Sequence, residues 1–193
     1  RLSVDRTLYS LATLGSSLSW PAVRGVVSSH RSGLDAIAAP PQPWLAEHVS
    51  SELLASLLSL LQDHYRYVVV DTHTSYDQKT LVALDQADDI LAVATQDQFV
   101  RRNALSFVTV AKRLGYLPKV RVVLNWYDER QAPSVDRLEK ELRSRVIATI
   151  RADPVGVARL ERPGDPSTPV DDRGLAAQDI VSLAEAIARL TGS

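Results

Sequence analysis

The side chains best suited to chemistry in this sequence stand directly behind apolar runs. Four such groups occur, at Asp71–His73, Thr95–Asp97, Asn125–Trp126 and Arg151–Asp153. They are rich in carboxylates and amides, and they contain no Ser, His and Asp order of the kind that hydrolases use. Because carboxylates and amides bind Mg²⁺ and base edges, the set favours a nucleotide or metal–phosphate site over acyl transfer.

Asp71 closes the sequence Tyr-Val-Val-Val-Asp, which has the form of a Walker B strand. In that arrangement a carboxylate at the end of a buried strand holds Mg²⁺ directly or through water, opposite the phosphates. An apolar run followed by Asp also arises by chance. The alternative, that Asp71 begins a loop or caps the next helix, therefore stays open.

Asn125 ends the run Val-Arg-Val-Val-Leu-Asn, where its amide could offer both a donor and an acceptor to a base edge. An Asn that makes a local turn is an equally good interpretation of this pattern. His73 lies close to Asp71, but the other histidines have no ligand spacing relative to it, which favours a solvated loop position.

A group of basic residues surrounds one predicted helix and its exit. Its members are Arg101, Arg102, Lys112, Arg113, Lys119 and Arg121. Such a group usually forms a solvated face, and the alternative is a contact surface for a partner or for DNA.

Helical and strand-like patterns alternate along the chain and must position these residues. Leucines at helical spacing predict a helix over 49–64, which runs into a β-branched segment over 65–71 that we expect to be a buried parallel strand. Further strands are predicted over 90–95, 120–125 and 146–150, with a weaker one over 34–39, and further helices over 78–87, 101–114, 134–143 and 175–190. This alternation predicts an α/β fold with a mostly parallel sheet and helices on both faces.

Composition limits the class of protein. The chain has 193 residues, of which 45% are hydrophobic and 23% charged, with a net charge of -1, so one domain is expected and coating of nucleic acid or anionic membrane is disfavoured. No apolar run reaches the roughly 18 residues of a transmembrane helix. The absence of Cys excludes disulfides, thiol catalysis and Cys-ligated metal sites, and we expect a cytoplasmic protein. The loose stretch Arg162–Gly174 predicts an exposed loop.

Several segments together resemble the MinD/ParA-type ATPases, and most of all their CpaE/TadZ branch. They are HYRYVVVDTHTSYDQKTLVALDQADDILAVATQDQFVRRNALSFVTVAKRLGY with KVRVVLNWYDER, the upstream HRSGLDAIAAPPQP, and the downstream VIATIRADPVGVARLERPGDPSTPV. The resemblance extends from about residue 30 to about residue 190. Members of that branch help to position and assemble type IV (Flp/Tad) pili and often carry a receiver-like domain at the amino terminus.

The resemblance implies ATP and Mg²⁺ as cofactors and assigns a role to particular residues. Asp71 would be the Walker B carboxylate that holds Mg²⁺ through water, and Asn125 the amide that contacts adenine. Asp153 and Pro154 would form the loop whose backbone lies along the edge of the base. The chain departs from the family at Trp126, where Arg is usual, and near His73, where Pro is common.

The Gly-rich Walker A loop of the family is missing, since no GxxxxGK[ST] pattern occurs in the sequence. We expect that loop and its strand upstream of Arg1, so that residues 1–193 form the carboxyl-terminal portion of a single ATPase-like domain of the P-loop type, with its amino-terminal part missing. The chain begins with Arg rather than Met, which agrees with this expectation.

The resemblance implies a homodimeric, ATP-dependent switch that works with pilus-assembly and secretion proteins and is recruited to the inner membrane or cell pole. One alternative is a non-catalytic scaffold with the same fold, to which Trp126 points. Another is a ParA-like partitioning ATPase, which the single cation of the last helix, Arg189, disfavours because it leaves no strong nucleic-acid signal. A receiver domain is rejected because Asp88 and Asp89 precede a predicted strand instead of following one.

Overall fold

The computed structural model describes residues 6–13, 18–161 and 174–191. The chain divides into two compact units, residues 1–87 and residues 88–193. The prediction that both belong to a single ATPase-like domain stays a prediction. Apart from Gly174, the loop predicted over Arg162–Gly174 lies outside the described residues.

Helices are the main regular elements in the described part of the first unit. Its elements are α1 (Leu8–Ala12), α2 (Trp20–Arg24), β1 (Ser28–Ser29), β2 (Asp35–Ala36), α3 (Pro43–Ala46), α4 (Ser51–Gln62) and α5 (Gln78–Gln86). Strands β1 and β2 pair antiparallel, and Ala38 forms a single parallel bridge with Thr7. The weak strand predicted over 34–39 is thus confirmed only in part, and its one regular partner is antiparallel.

Helix α4 lies where the leucine pattern predicts it. Ser50 begins it, because the Ser50 hydroxyl accepts a hydrogen bond from the Leu53 N–H (3.1 Å). Leu57 is buried in a cluster with Leu11, Val23 and Val26. Helix α5 joins α4 through reciprocal glutamine bonds: Gln62 donates to the Gln86 carbonyl (3.2 Å), and Gln86 donates to the Ala55 carbonyl (3.1 Å).

The strand predicted over 65–71 is the main correction to the sequence analysis. The segment forms no strand and pairs with no strand among the described residues, and it is not buried, because Val69 is 92% exposed. β-Branched residues favour an extended backbone, but a strand also needs a neighbour to complete its ladder. In the described part of the first unit the only strands are β1 and β2, which pair with each other.

A parallel sheet forms the centre of the second unit and confirms the predicted fold class. Its strands are β3 (Ile90–Ala94), β4 (Val120–Tyr127) and β5 (Val146–Arg151), in the order β3, β4, β5. The helices are α6 (Gln98–Arg113), α7 (Val135–Leu142), α8 (Pro154–Glu161) and α9 (Leu175–Thr191), with a 3-10 turn at Leu117–Lys119. Apart from α8 and the 3-10 turn, which were not among the predicted elements, these elements agree with the predicted ones to within a few residues.

The central strand carries the core of this unit. Val122 and Leu124 are fully buried and pack with Ala94 of β3 and with Leu138 and Leu142 of α7. Part of α6 packs against the same cluster. α6 begins at Asp97, whose Oδ1 accepts hydrogen bonds from the N–H groups of Phe99 (2.8 Å) and Val100 (3.1 Å). The shared core cluster and the cap at the start of α6 together hold the carboxyl ends of the strands in place.

Candidate functional site

Asp71 lies in the first unit, as the last residue of the unpaired segment 65–71. It is exposed, and its carboxylate makes no hydrogen bond or ion pair with any described residue. No group of three or more His, Cys, Asp or Glu side chains in the described ranges could hold a metal ion. A lone, unengaged carboxylate still fits Mg²⁺, which keeps several waters and takes its other ligands from phosphates.

His73 is exposed beside Asp71, which agrees with the solvated loop position favoured by the sequence. The other predicted site residues, Asn125, Asp153 and Pro154, belong to the second unit: Asn125 lies inside β4 near its carboxyl end, and Asp153 and Pro154 follow β5. The carboxyl ends of β4 and β5 lie close together, since the Ala152 N–H donates to the Tyr127 carbonyl (3.2 Å). The carboxyl edge of β4 and β5 therefore brings Asn125 and Asp153 to one end of the sheet.

The Asn125 amide makes a local hydrogen bond. Its Oδ1 accepts from the backbone N–H of Trp126 (2.9 Å), and its Nδ2 has no partner among the described residues. The bond assigns oxygen and nitrogen within the amide, because only the oxygen can accept from an N–H. The side chain therefore keeps two unused donor hydrogens at the end of β4. Its contact with a base stays a prediction.

A β-bulge surrounds Asn125. Leu124 pairs with Thr149 and Tyr127 pairs with Arg151, so that Asn125 and Trp126 together stand opposite the single residue Ile150. Trp126 adopts a left-handed backbone with φ of 54° and is 56% exposed. In the sequence Trp126 is a departure from the family pattern, and neither its backbone conformation nor the bulge is evident there.

The Asp153 carboxylate links the starts of two helices. Its Oδ1 accepts from the Gly156 N–H (2.8 Å) in α8, and its Oδ2 accepts from the Ala176 N–H (3.4 Å) in α9. Pro154 is the first residue of α8, a position where the N–H that proline lacks is not needed. The Asp153 side chain thus has a structural task. A contact of the Asp153 and Pro154 backbone with a base stays a prediction.

Gln96 is a residue whose role the sequence did not reveal. Its Nε2 lies within hydrogen-bond distance of the carbonyls of Asp128 (3.1 Å), Gln131 (3.0 Å) and Pro133 (3.2 Å). Its Oε1 accepts from the Asp128 N–H (2.8 Å). One side chain after β3 therefore fixes the loop that follows β4. Asp128 also holds this loop, because its carboxylate accepts hydrogen bonds from the Arg130 N–H (3.0 Å) and the Gln131 side-chain amide (3.1 Å). These bonds, the one from Arg130 most of all, lower the pKa of Asp128.

A second relationship fixes the end of β5 to α9. Arg151 donates from its backbone N–H and its side chain to Asp179, and these bonds lower the pKa of the Asp179 carboxyl. The two residues are 28 positions apart in the sequence, so no local sequence pattern predicts this contact.

The basic group predicted around α6 is partly paired. Arg101 forms an ion pair with Glu141 (3.0 Å), and Arg121 forms one with Asp89 (3.2 Å). Arg102, Lys112 and Arg113 are exposed, as a solvated face requires.

No helix of the described ranges has the length and hydropathy needed to cross a bilayer.

No protein-family model and no curated protein matches the chain. Solved structures do. The ParA family ATPase from Chlorobium tepidum TLS has a TM-score of 0.84 at 19% identity, over 95% of this chain and 76% of that chain. The septum site-determining protein MinD of Pyrococcus horikoshii OT3, complexed with Mg-ADP, has a TM-score of 0.77 at 16% identity, over 98% of this chain and 76% of that one.

The MinC:MinD cell division complex of Aquifex aeolicus is a third similar structure, with a TM-score of 0.69 at 18% identity over 96% of this chain and 78% of that one. Identities this low show the fold alone. The fold is that of the MinD and ParA P-loop ATPases, as the sequence predicts.

Proposed function

We propose that the chain is the carboxyl-terminal portion of a MinD/ParA-like ATPase, and that the complete protein is an ATP-dependent switch of the CpaE/TadZ kind in Flp/Tad (type IV) pilus assembly and localisation. The observation that carries the nucleotide part is the carboxyl edge of β4 and β5, where Asn125 keeps unused donors. Ligands of open parallel sheets bind at that edge. The pilus part comes from the sequence resemblance to the CpaE/TadZ branch.

The phosphate-binding loop belongs, in this proposal, to a segment that precedes Arg1. One observation in each unit supports it. In the first unit the segment 65–71 has a strand-like sequence but no partner strand, and in the second unit β3 pairs only with β4, both within the described residues. An additional strand would satisfy unpaired backbone groups in either place.

Asp71 supplies the one carboxylate of the proposed Mg²⁺ site. When bound, Mg²⁺ neutralises charge on the phosphates that an intact Walker A loop would hold. The described residues offer no complete ligand cage, so we propose that Asp71 acts through water and that most other ligands are waters and phosphate oxygens.

The same proposal includes a homodimer around the nucleotide, cytoplasmic location, and recruitment to the inner membrane or cell pole by pilus-assembly and secretion proteins. Dimers are the commonest closed assemblies. The structure of MinD with MinC shows that a protein of this fold takes a protein partner.

A non-catalytic scaffold of the same fold is the second candidate. Two observations favour it: the Asp153 carboxylate is engaged in capping helices, and Asp71 follows an exposed segment instead of a buried strand. A ParA-like partitioning role has weaker support, because two of the six basic residues around α6 are ion-paired.

ATP hydrolysis by the full-length protein with Mg²⁺ separates these functions. The switch predicts hydrolysis that Asp71→Asn abolishes, because the Mg²⁺ position is lost. Asp88→Asn is the matched control, since Asp88 is another exposed carboxylate without a partner in the described ranges, and it should keep full activity. ATP binding without hydrolysis would favour the scaffold, and no ATP binding would contradict the switch.

The pilus role needs a separate test in the organism of origin. Deletion of the gene should abolish or misplace Flp/Tad pili, and normal pili at their normal positions would contradict the proposed role.

A further inference from the structure

Trp126 has a backbone conformation that its residue type disfavours. Among the described residues only Trp126 and Arg143 combine a side chain larger than that of glycine with positive φ. Arg143 ends α7, where left-handed residues commonly terminate helices. Trp126 lies inside β4, where the left-handed region costs about 1–2 kcal/mol for an L-residue. The positive φ of Arg143 is thus explained by its place at a helix end, whereas that of Trp126 needs another explanation.

The surrounding backbone holds this conformation in place. Pairing of Leu124 with Thr149 fixes the chain before the bulge, and pairing of Tyr127 with Arg151 fixes it afterwards. Between them the Asn125 amide oxygen accepts the Trp126 N–H, which replaces a ladder bond that the bulge interrupts. Bulges beside functional sites commonly redirect a side chain, and here the redirected side chain is an indole.

Packing does not explain the exposed indole. Leu124, two residues earlier, is fully buried, whereas the Trp126 indole makes no hydrogen bond and no aromatic or cation contact with any described residue. The contrast is Trp20, whose ring stacks on His64 at a centroid distance of 3.8 Å. An aromatic ring that is more than half exposed and does not belong to the core cluster of its unit is available to an external planar group.

The position of Trp126 identifies the class of that group. It follows Asn125, whose unused Nδ2 hydrogens can donate to a ring nitrogen or a carbonyl oxygen, and it lies at the carboxyl edge of the parallel sheet. An aromatic face beside an amide donor suits a flat heterocycle with acceptors on its rim. Purine bases have this chemistry, because N1, N3 and N7 of adenine and O6 and N7 of guanine accept hydrogen bonds.

We propose that the Trp126 indole is the stacking surface for the purine ring of a bound nucleotide, with Asn125 Nδ2 donating to an acceptor on the edge of that ring. This inference rests on the proposed nucleotide-binding function and adds a residue that determines affinity for the base. Stacking on an indole tolerates any base, and Asn125 offers mainly donors because its oxygen already accepts the Trp126 N–H. ATP and GTP should therefore depend on Trp126 to a similar extent.

The test measures binding of ATP, GTP and tripolyphosphate to the full-length protein by calorimetry. Trp126→Ala should weaken ATP and GTP about ten-fold or more, the range expected for loss of one stacked base, and should leave tripolyphosphate unchanged because it has no ring. Trp126→Tyr keeps an aromatic face and should retain most of the affinity. Trp44→Ala is the matched control, since Trp44 is 64% exposed in the first unit, and it should change nothing.

Equal affinity of wild-type protein and Trp126→Ala for ATP would overturn the inference while leaving the proposed function intact. An equal loss for tripolyphosphate would also overturn it, because the effect would then be structural. If the wild-type protein binds neither nucleotide, the proposed function fails together with the inference. If Trp126→Ala does not fold, Trp126→Asn replaces it, because Asn tolerates the left-handed backbone and lacks an aromatic ring.

Discussion

Asp179 accepts three hydrogen bonds from Arg151, one from the backbone N–H and one each from Nε and Nη2, all of 2.8 Å. The contact joins the last residue of β5 to the first turns of α9. It is a two-pronged arginine–carboxylate pair, which fixes direction as well as distance. The orientation of α9 relative to β5 therefore depends on this pair.

Asp179→Asn should lower the melting temperature, because the amide cannot accept both side-chain bonds and carries no charge. We expect a decrease of a few degrees, measured by circular dichroism or calorimetry. Glu185→Gln is the control in the same helix: Glu185 and Arg189 are both highly exposed at 3.9 Å, and such pairs contribute little. Equal melting temperatures for the wild type and Asp179→Asn would contradict the role given to this pair.

The same pair makes stability depend on pH in a defined direction. Hydrogen bonding to Arg151 lowers the pKa of Asp179 below its ordinary value of 3.8. A group with a lowered pKa in the folded state stabilises the protein fully above its ordinary value, and this contribution disappears as the pH falls through the lower folded value. The difference in melting temperature between wild type and Asp179→Asn should therefore be constant from pH 7 to about pH 5 and shrink below pH 3.8. A difference that grows on acidification would contradict this account.

Gly156→Ala should destabilise the second unit although alanine normally favours a helix over glycine. A Cβ at this position would overlap the Asp153 carboxylate, which would have to give up its bonds to the starts of α8 and α9. Loss of such a cap costs about 1 kcal/mol. Val155→Ala in the same helix should be almost neutral because Val155 is exposed. Urea denaturation of the three proteins checks the order, and a stabilised Gly156→Ala would show that the carboxylate moves without cost.

Gln96→Glu should loosen the loop after β4. The substitution keeps the shape of the side chain but turns its donor into an acceptor that faces the carbonyls of Asp128, Gln131 and Pro133. Leaving these groups unsatisfied should cost about 1–3 kcal/mol in unfolding free energy. Gln98→Glu provides the control, since it places the same change in the exposed first turn of α6, where a negative charge is favourable. Faster amide hydrogen exchange over 128–133 in Gln96→Glu alone would localise the effect, and unchanged exchange there would contradict it.

The regular elements of the second unit could be predicted because each depends on local pattern. Apolar runs over 90–95, 120–125 and 146–150 mark β3, β4 and β5, and Ser134 marks the start of α7. The segment 65–71 has the same local pattern, but a strand also needs a partner, which the residues of the segment do not specify.

For the candidate site, the sequence predicted where its residues lie in the sheet but not the contacts that they make. The apolar runs predicted that Asn125 and Asp153 lie at the carboxyl edge of the sheet, as they do, while their roles in binding a ligand stay predictions. Other contacts join residues more than 20 positions apart, so only the folded chain shows them. The Ala176 N–H donates to the Asp153 carboxylate, and Gln96 donates to carbonyls of the loop after β4. The bulge at Trp126 likewise follows from the register of two strands, which one strand's sequence does not determine.

The unpaired segment 65–71 also influences how the 193-residue chain behaves in concentrated solution. A β-branched segment with no partner strand and with exposed apolar side chains is a template onto which another copy can add. If two copies pair antiparallel in the register that places Arg66 of each opposite Asp71 of the other, the end charges attract and oppose aggregation less than they would in parallel stacks. Lysine at Val69 places like charges near one another in such a pair. Preparations of Val69→Lys should therefore remain clear at concentrations where the parent chain scatters light.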